Sequence, residues 1–289
     1  MRPYEGLLTA MVTPFGADGR VDEETAVALG RHLLGSGSDG LVIAGTTGEA
    51  STLSDEEHIG LVGLMVAELG GEAPIVAGTG SNDTRHAVEL TERAVVAGAH
   101  AVLSVTGYYN KPNLRGIRRH YELVAQAAGG VPVVLYNIPS RTAVNLPPEF
   151  LAELAQLDGV EAVKQANDAE LQPIDGLAIL AGNDNVLARV LDFGGAGGIC
   201  VASHVAGPQM QEMFDASPER RAEIDAALAP VYAGLFCTAS PAPVKAALRM
   251  LGHDVGGLRL PLVECDEAEE RIVRESLAAA GLLSGVHAS

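Results

Sequence analysis

The stretch VEAVKQAN (160–167) ends an apolar run on Lys164, in a chain whose only lysines are Lys111, Lys164 and Lys245. Burial at a strand end strips an ammonium of hydration and favours the neutral amine, which can attack a ketone and form a Schiff base. The plainer alternative is a lysine that snorkels out of an apolar mouth or pairs with a carboxylate. GTTGE (45–49) sets two hydroxyls between glycines. Backbone N–H groups in such a turn can cradle a carboxylate and the threonines can relay protons, although the same residues make an ordinary glycine-rich turn. In LYNIPSRT (135–142), Tyr136 closes another apolar run and can donate and accept protons beside Lys164. Arg141 offers a planar fork for a carboxylate. The alternatives are a core aromatic for Tyr136 and a surface ion pair for Arg141. Tyr108 and Tyr109 in VTGYYNKP (105–112) point opposite ways on an extended segment, so one can face a site and the other a partner.

Elements of regular spacing must hold these groups. Short Val/Ile/Leu-rich runs at 6–12, 40–45, 74–80, 101–107, 131–138, 160–165, 177–182 and 197–203 read as strands covered on both faces. Longer amphipathic stretches alternate with them. Ser54 and Glu57 form a capping box at the start of one helix, and Pro147 and Pro148 open another. Eight strand–helix units predict an α/β fold, a closed (β/α)8 TIM barrel, with a short or missing helix between strands six and seven. After strand eight only helical patterns follow. The expected division is a catalytic barrel over 1–225 and a C-terminal helical extension over 226–289. In such a barrel the C-terminal ends of the strands carry the chemistry. GTTGE, GTGSN (78–82), TGYYN (106–110), YNIPSR (136–141), Lys164 and AGND (181–184) all fall there.

Composition narrows the function. A net charge of −18 argues against nucleic-acid binding, and it requires local donors to capture an anionic substrate. No apolar run is long enough for a membrane helix, and the first residues lack the layout of a signal peptide. Cys200, Cys237 and Cys265 are far apart with no CxxC, which fits a reduced, cytoplasmic protein. The histidines show no HExxH or clustered spacing, so no metal site is expected. GGAGGI (194–199) precedes a strand and reads as tight packing instead of a dinucleotide loop. Lys245, in SPAPVKAAL (240–248), is expected to cover apolar surface with its stem.

Taken together, GTTGEASTLS, VAGTGSN, VTGYYNKP, LYNIPSRT, AVKQA, AGND and SPAPVKAAL resemble the dihydrodipicolinate synthase family of pyruvate-dependent, Schiff-base class I aldolases, in order and over nearly the whole chain. The resemblance implies that Lys164 condenses with pyruvate, and that the enamine so formed attacks L-aspartate 4-semialdehyde. It implies Tyr136 as proton donor and acceptor, with Thr46 and Tyr109 in its relay. Thr47 would contact the pyruvate carboxylate, Ile199 would supply a backbone contact, and Gly182 would line the pocket. Arg141 would hold the semialdehyde carboxylate. No metal or organic cofactor is implied, since the imine itself is the electron sink. The relay tyrosine of the family comes from a neighbouring subunit, which implies a homodimer or homotetramer.

The chain also departs from the family pattern. Gly107 replaces the usual proline before the paired tyrosines, and the segment after Lys164 is short. His86 stands where lysine-inhibited relatives have a glutamate and Asp55 where they have a histidine, while His58, Asn82 and Tyr108 remain. Lysine feedback inhibition is therefore not carried over. The alternative within the same chemistry is a sugar-acid enzyme, of the N-acetylneuraminate lyase or 2-keto-3-deoxygluconate aldolase type. GTTGE and Arg141 favour the short amino-acid aldehyde. A barrel that had lost its chemistry and served as a scaffold would be expected to lack at least one rim group, and none is missing here.

Overall fold

Eight apolar runs pair edge to edge and close on themselves. In the computed structural model, which describes residues 2–283, they form a parallel barrel in the order β1-β2-β3-β4-β5-β6-β7-β8. The strands are β1 (Gly6–Ala10), β2 (Gly40–Ile43), β3 (Ile75–Gly78), β4 (Ala101–Val105), β5 (Val133–Asn137), β6 (Val160–Gln165), β7 (Ala178–Ala181) and β8 (Gly197–Cys200). Each lies within its expected run; β6 fills its run, and the other seven are trimmed by a few residues where the chain turns out of the ladder. Nearly every strand position is buried, as two-sided coverage requires.

Closure depends on glycine. Gly6 and Gly197 are paired across the β1–β8 seam, and a Cβ on Gly197 would fall 2.1 Å from the Gly6 carbonyl oxygen. GGAGGI is thus close packing at the last seam, as its position before a strand suggested.

Helices cover the outside: α1 (Glu23–Gly35), α2 (Asp55–Leu69), α3 (Thr84–Val96), α4 (Leu114–Ala128), α5 (Pro139–Thr142), α6 (Pro148–Leu154), α7 (Leu187–Asp192) and α8 (Ser203–Asp215). Ser54 caps α2 reciprocally with Glu57, and Pro148 opens α6. Between β6 and β7 the chain makes only a single 3-10 turn, Asp168–Glu170, so the sixth α-helical crossover is absent. Three further helices follow, α9 (Pro218–Gly234), α10 (Ala242–Met250) and α11 (Glu267–Ala279). Helix α9 runs through residue 225 and packs on α8 as well as α11, so it bridges the expected division. No helix among the described residues is long and apolar enough to cross a membrane.

Candidate active site

A cavity of about 470 Å³ opens at the C-terminal ends of the strands. Lys164 and Tyr136 both line it. They are direct partners across the β5–β6 ladder, which sets Lys164 Nζ 4.4 Å from the centroid of the Tyr136 ring. Lys164 is only 6% exposed. Two of the three lysines are buried, but they differ in setting. Lys245 is fully buried outside the cavity, with Glu49 Oε1 at 2.8 Å from its Nζ, whereas Lys164 faces the open volume. The expectation that Lys245 merely lays its stem on apolar surface is corrected. Its helix is apolar on nearly every side, the signature of a helix buried all round.

Thr46, Thr47, Arg141 and Gly182 also line the cavity. Thr47 is buried and Thr46 exposed. Gly182 lies against β6, where a Cβ would stand 2.7 Å from the backbone of Gln165, so any side chain would push β7 away from the strand carrying Lys164. Two expected site residues, Ile199 for its backbone and Tyr109 as a partner's contribution, do not line the cavity of this chain. Ile199 is buried within β8 and outside the lining, which Val201 reaches instead. Tyr109 is 88% exposed and turns away from the cavity of its own chain with φ +69°. Tyr108 faces inward and joins the lining. The two tyrosines do face opposite ways, with Tyr109 outward, but through a left-handed bend at Tyr109 instead of the extended segment expected.

The rim carries its own braces. Asn137 Nδ2 donates to Gln165 Oε1 and Asn145 Oδ1, both at 3.0 Å, and the Leu146 N–H donates back to Asn137 Oδ1 at 3.1 Å. Asn145 Nδ2 donates in turn to Glu170. This amide network ties the segment after α5, the helix bearing Arg141, to β6 and to the 3-10 turn that follows it. In AGND, Asp184 is buried, and its Oδ1 accepts from the Val201 N–H at 2.8 Å. Burial raises the Asp184 carboxyl above the usual carboxylate range and raises the thiol of neighbouring Cys200 as well. Asp184 thereby fixes Val201 at the cavity wall, a role that sequence reasoning missed. Its place in AGND was the available signal. On the far side of the cavity Asp55 and His86 face each other, with His86 Nε2 2.9 Å from Asp55 Oδ1. The two departures from the family pattern are thus paired with each other, and a hydrogen bond to His86 holds the Asp55 carboxyl below its ordinary value. Among the described residues no group of three or more His, Cys, Asp or Glu is placed to hold a metal ion.

A buried lysine beside a tyrosine at the mouth of a closed barrel, with hydroxyls and an arginine across the cavity, suits imine chemistry on a small keto acid. The family model for the dihydrodipicolinate synthetase family matches residues 3–280. The chain belongs to the dihydrodipicolinate synthetase family. Among relatives of this family, the 4-hydroxy-tetrahydrodipicolinate synthase of Symbiobacterium thermophilum is 44% identical over 98% of this chain and 100% of that protein. The family enzyme of Cyanidioschyzon merolae, solved with lysine bound, superposes with a TM-score of 0.92 at 36% identity over 98% of this chain and 100% of that one. The chloride-inhibited dihydrodipicolinate synthase of Acinetobacter baumannii, solved with pyruvate, gives a TM-score of 0.92 at 35% identity, over 96% of this chain and 99% of its own.

Proposed function

We propose that this chain is a 4-hydroxy-tetrahydrodipicolinate synthase, a lyase that condenses pyruvate with L-aspartate 4-semialdehyde through a Schiff base on Lys164. The supporting observation is the setting of Lys164, the one lysine lining the cavity among the described residues, in ladder register with Tyr136. The Lys164 amine adds to the keto carbon of pyruvate and water leaves, giving the imine. Loss of a methyl proton converts the imine to an enamine, whose carbon attacks the aldehyde carbon of the semialdehyde. The amine of the semialdehyde then attacks the imine carbon and expels Lys164, closing the ring.

Tyr136 stands where protons must enter and leave during these steps. Thr47 suits the pyruvate carboxylate and Arg141, across the cavity, the semialdehyde carboxylate. Thr46 lines the same cavity as Tyr136, and we assign it to the proton relay, which a Tyr109 supplied by a second copy would complete. We therefore infer a homodimer or homotetramer. Three free thiols suit the reducing cytoplasm.

An assay coupled to the reductase that consumes the product tests this reading. Turnover is expected with pyruvate and the semialdehyde together, and it should resist chelators. Cleavage of a sugar acid, with the semialdehyde left unconsumed, would replace this reading with the sugar-acid alternative.

A further inference from the structure

The C-terminal helices reach the catalytic rim through a buried charge pair that the reaction itself does not use. Lys245 on α10 and Glu49 of GTTGE both have fully buried side chains, with 2.8 Å between Nζ and Oε1. Lys245 also donates to the Gly257 carbonyl at 2.7 Å and sits 4.4 Å from the centroid of the Phe15 ring. The other carboxylate oxygen of Glu49 accepts from the backbone N–H of Arg259 at 3.0 Å. The Arg259 guanidinium lies 4.5 Å from the same Phe15 ring and donates to the Thr52 carbonyl at 2.8 Å. The segment from Glu49 to Thr52 is thus held by the Glu49 carboxylate at one end and the carbonyl of Thr52 at the other.

Glu49 also ends the turn bearing Thr46 and Thr47, and that turn's backbone does not favour its own shape. Ala44 (φ +53°) and Glu49 (φ +56°) are both in the left-handed region, which disfavours any residue with a Cβ. The Glu49 N–H donates to the Thr46 carbonyl at 3.1 Å, and Thr13 Oγ1 donates to the Gly48 carbonyl at 2.6 Å. Relaxing Glu49 to an ordinary conformation would swing its carboxylate away from Lys245 and Arg259, leaving buried charges unpaired. The pair therefore holds the strained turn in place. Lys245 is committed to Glu49 and Gly257 and lies outside the cavity, so it acts on substrate only through the turn.

We infer that the Lys245–Glu49 pair, backed by Arg259, is a positioning device for the pyruvate half of the site, fixing Thr46 and Thr47 from the C-terminal helices. This deepens the proposed function and rests on it.

The test compares wild type with Glu49→Gln, Lys245→Met, the double variant and the charge-retaining Glu49→Asp. Pyruvate KM, the rate of borohydride trapping at Lys164, semialdehyde KM at saturating pyruvate and the melting temperature are measured for each. Every variant that folds is expected to raise pyruvate KM and slow trapping by about tenfold or more, as a misplaced binding group does. Semialdehyde KM should stay within about twofold of wild type. The double variant should resemble each single one instead of compounding them, because the two side chains act as a unit. Glu49→Asp keeps the charge and loses one methylene, so it remains a folded test if the uncharged variants collapse. Should Glu49→Asp, or any other folded variant, keep pyruvate KM and trapping within about twofold of wild type while melting lower, the pair is a tie between segments only and the inference is overturned. A wild-type protein that traps no pyruvate at Lys164 would refute the functional reading itself, a different outcome from variants that trap as well as wild type.

Discussion

At the scale of single residues, the chemistry comes down to which nitrogen and which guanidinium meet the substrates. Lys164 and Arg141 share one cavity wall system but serve different partners in the proposed reaction. Arg141→Ala is expected to raise semialdehyde KM by about one to two orders of magnitude, the range for losing a charge-assisted, two-pronged contact to a carboxylate. Pyruvate imine formation should continue unchanged, because that step precedes arrival of the semialdehyde. Steady-state kinetics combined with single-substrate trapping separates the two, and an unchanged semialdehyde KM would remove Arg141 from the reading. Lys164 was legible as a rim residue because it ends an apolar run, and Arg141 because it follows another such run by a few residues. Lys245 was not. Its sequence neighbours are apolar, but the carboxylate that meets it is nearly 200 positions away in Glu49, and no local pattern reports such a partner. For Ile199, expected as a backbone contact, and Tyr109, expected from a neighbouring subunit, the sequence leaves side-chain direction open. A motif gives a residue's rim segment but not whether its side chain turns into the cavity of its own chain.

At the scale of elements, the rim stays in register through buried polar ties that require fixed protonation states. His204, at the start of α8, receives a hydrogen bond from the Val12 N–H at Nε2 (3.2 Å) and lies 2.8 Å from the Val201 carbonyl through Nδ1. A ring that donates on one side and accepts on the other must be neutral. Burial, with a smaller contribution from His32, pushes its pKa down from 6.5 to about 4. Between those values the unfolded chain binds a proton that the native ring refuses, so stability falls as pH drops from 6.5 towards about 4. The contribution is about 3 kcal/mol, on the order of 1.4 kcal/mol per unit. Denaturant unfolding measured across this range should show the decline, and His204→Gln should flatten part of it. Buried His58 and His120, also lowered by burial, would retain the rest. A variant with the full wild-type slope would show that His204 is not its source. The elements themselves were readable because strand runs, the Ser54–Glu57 box and the Pro-led helix are local signals. The missing sixth helix was foreshadowed by the short link. The amide network beside that link was not, since Asn137, Asn145 and Gln165 meet only after the barrel closes.

At the scale of the whole molecule, an outward Tyr109 and a cavity lacking it make the proposed relay a property of an assembly. Lys164→Ala and Tyr109→Ala should each be nearly inactive alone. Refolded or co-expressed together, they should recover activity, because one site of each mixed pair would regain an intact Lys164 and a partner's intact Tyr109. Random pairing would restore about a quarter of the sites. Activity of the mixture no greater than that of either variant would confine the reaction to single chains. Net charge could bound only broad matters such as the repulsion of anions, because a charge of −18 says nothing about which faces meet.

The fate of one amine decides the proposed chemistry. Incubation with pyruvate, reduction with borohydride and peptide mass analysis should find the reduced pyruvate adduct on Lys164, with Lys111 and the ion-paired Lys245 unmodified. An unmodified Lys164, or an adduct on either of the other two lysines, would contradict the proposed chemistry.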